Sequence, residues 1–104
     1  MRVVWSARAL ERAGEIVDFI GRDRPRGAVA WLDGLEERLS ALPGLPEQGR
    51  VVPEWYEPAV RELIYHRHRI IYEIHPDRVE VLTIRHSRQL LDDLEDDQAG
   101  GGSF

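Results

Sequence analysis

Apolar residues in the first part of the chain recur at helical spacing. From Ala7 onward, Leu10, Ala13, Val17 and Ile20 follow steps of three and four, Ile16 widens the stripe and Gly21 ends it, which predicts a helix from Ala7 to about Gly21. Just before it, Arg2 to Trp5 is a β-branched and aromatic run closed by Ser6, a residue suited to cap a helix N-terminus. After Gly21-Arg22-Asp23-Arg24, Pro25 suits the first turn of a second helix, in which Ala28, Leu32, Leu35, Leu39 and Leu42 form a nearly unbroken apolar line that Pro43-Gly44 ends. Gly34 costs this helix about 1 kcal/mol relative to Ala, and close approach to the first helix is the expected reason. So short a connection predicts that the two stripes pack as an internal helical hairpin rather than offer a groove to a partner.

The period then changes. Residues 43–58 hold four of the six prolines (Pro43, Pro46, Pro53, Pro58) and read as an ordered loop. Val60 to Tyr65, Arg69 to Ile74 and Val79 to Ile84 are β-rich runs joined by short gaps, hence two hairpins. With Pro76-Asp77 as the turn, Ile74 faces Val79, Tyr72 faces Val81 and Ile70 faces Thr83, an apolar face expected to meet the helices. The opposite face then carries Arg69, Ile71, Glu73, Glu80, Leu82, Ile84 and His86, because side chains alternate with period two. Glu73 opposes Glu80, an unfavourable like-charge pair unless an Arg lies between or beside them. A strand, two antiparallel helices and another strand are expected to return the chain beside its start. The fold class is α+β: β-α-α-β-β-β, a mostly antiparallel twisted sheet with a helical hairpin on one face.

Length adds that this is one domain, assigned to residues 1–91 of the 104, followed by an acidic and then glycine-rich segment over 92–104. Gln89 to Leu94 suggests a short helix, and Ala99 to Phe104 a flexible tail. The absence of cysteine excludes disulfides, thiolate zinc sites and thiol nucleophiles. No apolar run suits a membrane span, and the N-terminus reads directly into a folded pattern without a signal peptide; a cytoplasmic location is the expectation. The net charge of −5 is concentrated in Asp92, Asp93, Glu95, Asp96 and Asp97; without those five of the 19 acids, 14 acids balance 14 bases. The body is neutral, so bulk charge gives no nucleic-acid footprint. All 14 bases are arginines, each a planar fork able to grip carboxylate or phosphate.

The loop Pro46-Glu47-Gln48-Gly49-Arg50-Val51-Val52-Pro53-Glu54, the strand Val60-Arg61-Glu62-Leu63, the segment Arg69-Ile70-Ile71-Tyr72-Glu73-Ile74 and the close Val79-Glu80-Val81-Leu82-Thr83-Ile84-Arg85-His86-Ser87-Arg88 together resemble the ParE/RelE superfamily of type II toxin-antitoxin toxins. Trp5-Ser6-Ala7-Arg8-Ala9 before the helical hairpin agrees, and the resemblance spans about Val3 to Arg88. It implies a growth-arresting toxin in a hetero-oligomer with a cognate antitoxin, with no cofactor and no membrane partner. ParE-like members inhibit DNA gyrase and have no accepted catalytic residues. RelE-like members cut mRNA on the ribosome with basic or aromatic side chains on the concave sheet face and after the last strand.

For the ribonuclease branch, Arg69 matches the arginine placed beneath the phosphate, His86 offers a near-neutral proton-transfer group on the same expected face, and Glu73, two positions along that face, is a candidate base. Against it stand the missing lysines, the missing tyrosine after Tyr72 and the neutral body. Arg69 is equally readable as a bridge to a carboxylate, and His86 as a strand end. The ParE-like branch is therefore preferred. Its expected partner-binding residues are Arg61, Arg69, Arg85 and Arg88, which suit an acidic or amphipathic antitoxin segment, together with Trp55 and Tyr56, whose loop either packs over the core or forms a contact surface. His66, His68 and His75 are read as turn histidines without a metal site, and Tyr65 and Tyr72 as sheet core with hydroxyls at the rim.

Overall fold

A computed structural model describes residues 1–88. The expected helix over Gln89 to Leu94, the domain boundary at residue 91 and the glycine-rich tail lie outside the described residues.

Strand β1 (Arg2–Trp5) leads through Ser6 into helix α1 (Ala7–Asp23), and helix α2 (Pro25–Ser40) follows after Arg24 alone. Ser6 caps α1 as its composition predicts, its Oγ accepting the Ala9 N–H at 3.0 Å. Two single-turn 3₁₀ segments, Leu42–Gly44 and Pro46–Gln48, precede β2 (Arg50–Val51), a short strand within the expected loop. Strands β3 (Val60–Tyr65), β4 (His68–Ile74) and β5 (Arg78–His86) complete the fold.

The sheet order is β1-β5-β4-β3-β2, antiparallel except that β1 runs parallel to β5. The strand beside the start of the chain is thus the last, not the one that follows the helices. The helical hairpin carries the chain across the sheet, and two tight hairpins then walk it back to β1.

The helices cover one face. Ala9, Ala13 and Ile16 from α1, Trp31, Leu35 and Leu39 from α2, and Leu63, Tyr65, Ile70, Tyr72, Val79, Val81 and Ile84 from the sheet share one core. The buried stripe of α1 is centred on Ala9, Ala13 and Ile16, leaving Leu10 59% exposed. The α2 line holds at Ala28, Leu35, Leu39 and Leu42, with Trp31 buried beside it. What crosses Gly34 is Tyr65 of β3 rather than the first helix. A Cβ at Gly34 would lie 2.4 Å from the Tyr65 hydroxyl, which donates to the Trp31 carbonyl at 2.7 Å. On the same face the Tyr72 hydroxyl plays a similar part, donating to Pro46 O (2.7 Å) and accepting from Gly49 N (2.9 Å), so the loop is tied to the core.

The expected register holds for Ile74 with Val79, Glu73 with Glu80 and Tyr72 with Val81, then shifts: Ile71 pairs with Thr83 and Ile70 with Ile84. Leu82 is the extra residue of a β-bulge on β5. Its carbonyl accepts from the Ser6 hydroxyl at 2.7 Å, while Ser6 N donates to Val81 O at 2.9 Å. The residue that caps α1 therefore also binds the bulge. One inserted residue reverses the facing of everything after it, so Ile84 enters the helix-side core, and His86 follows it to that side.

Candidate functional site

The sheet face away from the helices carries a small apolar cluster, Val52, Val60 and Ile71 with Leu82 against it. Beside it lies a buried ionic network. Glu62 of β3 sits between Arg50 of β2 and Arg69 of β4, because Arg50 pairs with Glu62 across β2–β3 and Ile64 pairs with Arg69 one step along β3–β4. The Glu62 carboxylate has no exposed side-chain surface and accepts from Arg50 Nε, from Arg69 Nε at 2.8 Å and from Arg69 Nη2 at 2.6 Å. The other edge of the Arg69 guanidinium grips Glu54 through two bonds of 3.1 Å each. Burial alone would lower the Arg69 pKa; hydrogen bonds and attraction from Glu54 and Glu62 outweigh it and raise it, so this cation is locked in its charged form. Arg69 is a bridge between carboxylates, the second of the two roles its position allowed.

Glu54 anchors the loop that displays the aromatic pair. Trp55 N and Tyr56 N both donate to Val52 O at 3.2 Å, and Tyr56 takes the left-handed conformation, φ 58°, with 84% of its surface exposed. Such a conformation is costly for a bulky residue. Trp55, at 37% exposed, is the more covered of the two.

The expected arginine set is dispersed. Arg69 and Arg85 are cross-strand neighbours, both buried. Arg61 pairs with Tyr72 and turns to loop carbonyls, donating to Pro58 O at 3.0 Å and Gly49 O at 3.2 Å. Arg88 is exposed past the end of β5. The four do not form one displayed cationic patch, because alternation sends Arg61 to the other face and the carboxylates internalise Arg69.

His86 is also separated from Arg69. The Leu82 bulge turns it to the helix side, where its ring lies 5.7 Å from that of His68, and its Nδ1 accepts from Arg88 N at 3.2 Å. His68 in turn packs edge-on to Trp31 of α2 at 5.6 Å. Burial, followed by repulsion from His86 and His66, pushes the His68 pKa down to about 4. His68 is thus an aromatic packing residue, while His66 is an exposed turn residue with φ 54°. Glu73 shares the face of Arg69 but engages His75 at 3.2 Å instead, and His75 also reaches Glu80 at 3.3 Å. The imidazole thereby occupies the place expected of an arginine between the two opposed glutamates.

Glu62 and Glu54 escaped the reading of the sequence as site residues, although Glu62 is the one charged residue between Val60 and Ile64 on its face of β3. On the helix side, a groove of about 500 Å³ opens between the two helices and β1, lined by Val3, Trp5, Leu10, Val17, Leu32 and Leu39 among others. Among the described residues, no helix is long and apolar enough to cross a membrane.

Comparison with known proteins bears on the whole arrangement. Among curated protein sequences none matches. A solved structure titled "Chromosomal ParDE TA system from P. aeruginosa" shares the fold at TM-score 0.69 and 20% identity, covering 83% of this chain and 95% of that one. Residues 3–91 match the family described as the ParE toxin of the type II toxin-antitoxin system parDE, and the chain therefore belongs to the ParE toxin family.

Proposed function

We propose that this ParE-family toxin arrests growth by binding DNA gyrase without cutting RNA, and that a cognate antitoxin neutralises it in a hetero-oligomer. The observation that carries the choice of target is the separation of Arg69 from His86. A metal-independent ribonuclease needs a cation at the phosphate and proton-transfer groups within hydrogen-bond reach of the reacting oxygens. Here Arg69 is saturated by Glu54 and Glu62 on one face, and His86 packs against His68 on the other. A binding poison needs only a shaped surface, and the strained, exposed Tyr56 beside Trp55 is its leading element. For the antitoxin, the apolar groove between α1, α2 and β1 suits the apolar side of an amphipathic segment better than the dispersed arginines do.

Purified gyrase supercoiling assays test the target. Wild-type protein and His86→Ala are expected to inhibit supercoiling alike, and Tyr56→Ala to inhibit less. Codon-specific mRNA cleavage on ribosomes, lost on changing His86 or Arg69 with gyrase unaffected, would overturn this reading in favour of a RelE-like nuclease.

A further inference from the structure

At the β4–β5 turn, three side chains of mixed chemistry converge. Glu73 and Glu80 are cross-strand partners, and His75 extends the ladder by donating its backbone N–H to Arg78 O at 2.8 Å. Its imidazole Nε2 stands nearly equidistant from the two acids, 3.2 Å from Glu73 Oε1 and 3.3 Å from Glu80 Oε1, and all three atoms lie within 4.8 Å of one another. A ring nitrogen carries either one proton or one lone pair. The proton can align well with only one of the two oxygens, or is shared weakly between both, and the lone pair would repel both. The nearby Arg78 does not resolve the conflict, since its guanidinium turns to Asp77 at 2.9 Å. A cation in the middle of the triangle satisfies all three atoms at once.

We propose that Glu73, His75 and Glu80 form a binding site for a divalent transition metal, with zinc(II) the best-fitting ion. One imidazole and two carboxylates are borderline-to-hard donors, a set that suits zinc and its first-row neighbours. Bonds of about 2.0–2.1 Å in tetrahedral geometry place ligands roughly 3.3 Å apart, close to both nitrogen–oxygen separations here. The third edge closes by rotation of the glutamate side chains, which are 34% and 31% exposed. Three protein ligands leave the fourth position to water or to a donor from a bound partner. Because the ligands come from both strands of one hairpin, the ion would clip the β4–β5 turn and neutralise its like-charge pair.

Zinc(II) alone, titrated calorimetrically into the untagged full chain, tests the proposal, with cobalt(II) absorption reporting coordination geometry. One equivalent is expected to bind, with affinity falling at least tenfold in Glu80→Gln and in His75→Ala but not in His68→Gln. Zinc is expected to raise the melting temperature of the wild type and not that of Glu80→Gln. Without metal, Glu80→Gln should melt at or above the wild type, because it removes a repulsion, and this also verifies that the variant folds. Absence of saturable binding, binding that survives Glu80→Gln and His75→Ala, or binding lost instead in His68→Gln would overturn the site.

Discussion

Replacing Glu62 with Leu isolates the energetics of the network behind the aromatic loop. The Glu62 side chain is fully buried and accepts from Arg50 and twice from Arg69, whose own side chain is only 7% exposed. Removing one member of a buried ion pair costs about 3–5 kcal/mol, because the remaining charge stays desolvated. Glu54 still holds the other edge of Arg69, which reduces the loss, and Leu gains contact with an apolar cluster of Val52, Val60 and Ile71. Glu62→Leu is therefore expected to cost about 2–3 kcal/mol, a large share of the roughly 5–15 kcal/mol that holds such a domain together. The double variant Glu62→Leu/Arg69→Leu removes the stranded cation as well and should return to within about 1 kcal/mol of the parent, since buried pairs are often replaceable by apolar residues. Urea denaturation reads both; with a slope of about 1–3 kcal/mol/M, the single variant loses on the order of 1 M in midpoint. A single variant as stable as the parent, or a double variant less stable than the single one, would refute the reasoning.

Gly34→Ala should destabilise by about 1–2 kcal/mol despite the better helix propensity, because the new Cβ displaces the Tyr65 hydroxyl from the Trp31 carbonyl; in a Tyr65→Phe background thermal denaturation should show most of that loss gone. His68, with its pKa lowered from 6.5 to about 4, binds protons more readily unfolded than folded. Its contribution is present above about pH 6.5 and lost as the pH falls towards 4, at most about 3 kcal/mol and less for solvent reaching the partly exposed ring; His68→Phe should flatten that slope in pH-dependent denaturation. Gly14 has open space around its Cβ position and lines the apolar groove. Gly14→Arg should leave the fold at least as stable and weaken antitoxin co-purification at least tenfold; an unaffected complex would move the antitoxin elsewhere.

The local elements were legible in the sequence. Ser6 caps α1, Pro25 opens α2, and the runs over Arg2–Trp5 and Val60–Tyr65 are strands with those bounds, because each rests on neighbours a few residues away. The resemblance to the toxin superfamily rested on the same ordered segments and agrees with the family match over residues 3–91. Tertiary structure alone decided the pairing of β1 with β5, since a run of Val and Trp fits any sheet edge. It also decided the side on which His86 falls. The alternation of apolar and polar residues along β5 carries no mark of one extra residue at Leu82, whose carbonyl is taken by Ser6 from 76 positions away. The role of Arg69 has the same origin: an arginine in a strand reads as a phosphate ligand or a salt bridge until β3 and the Glu54 loop bring carboxylates to it. Local propensity depends on spacing along the chain, whereas register, facing and ionic partnership depend on distances in space that the chain creates only by folding.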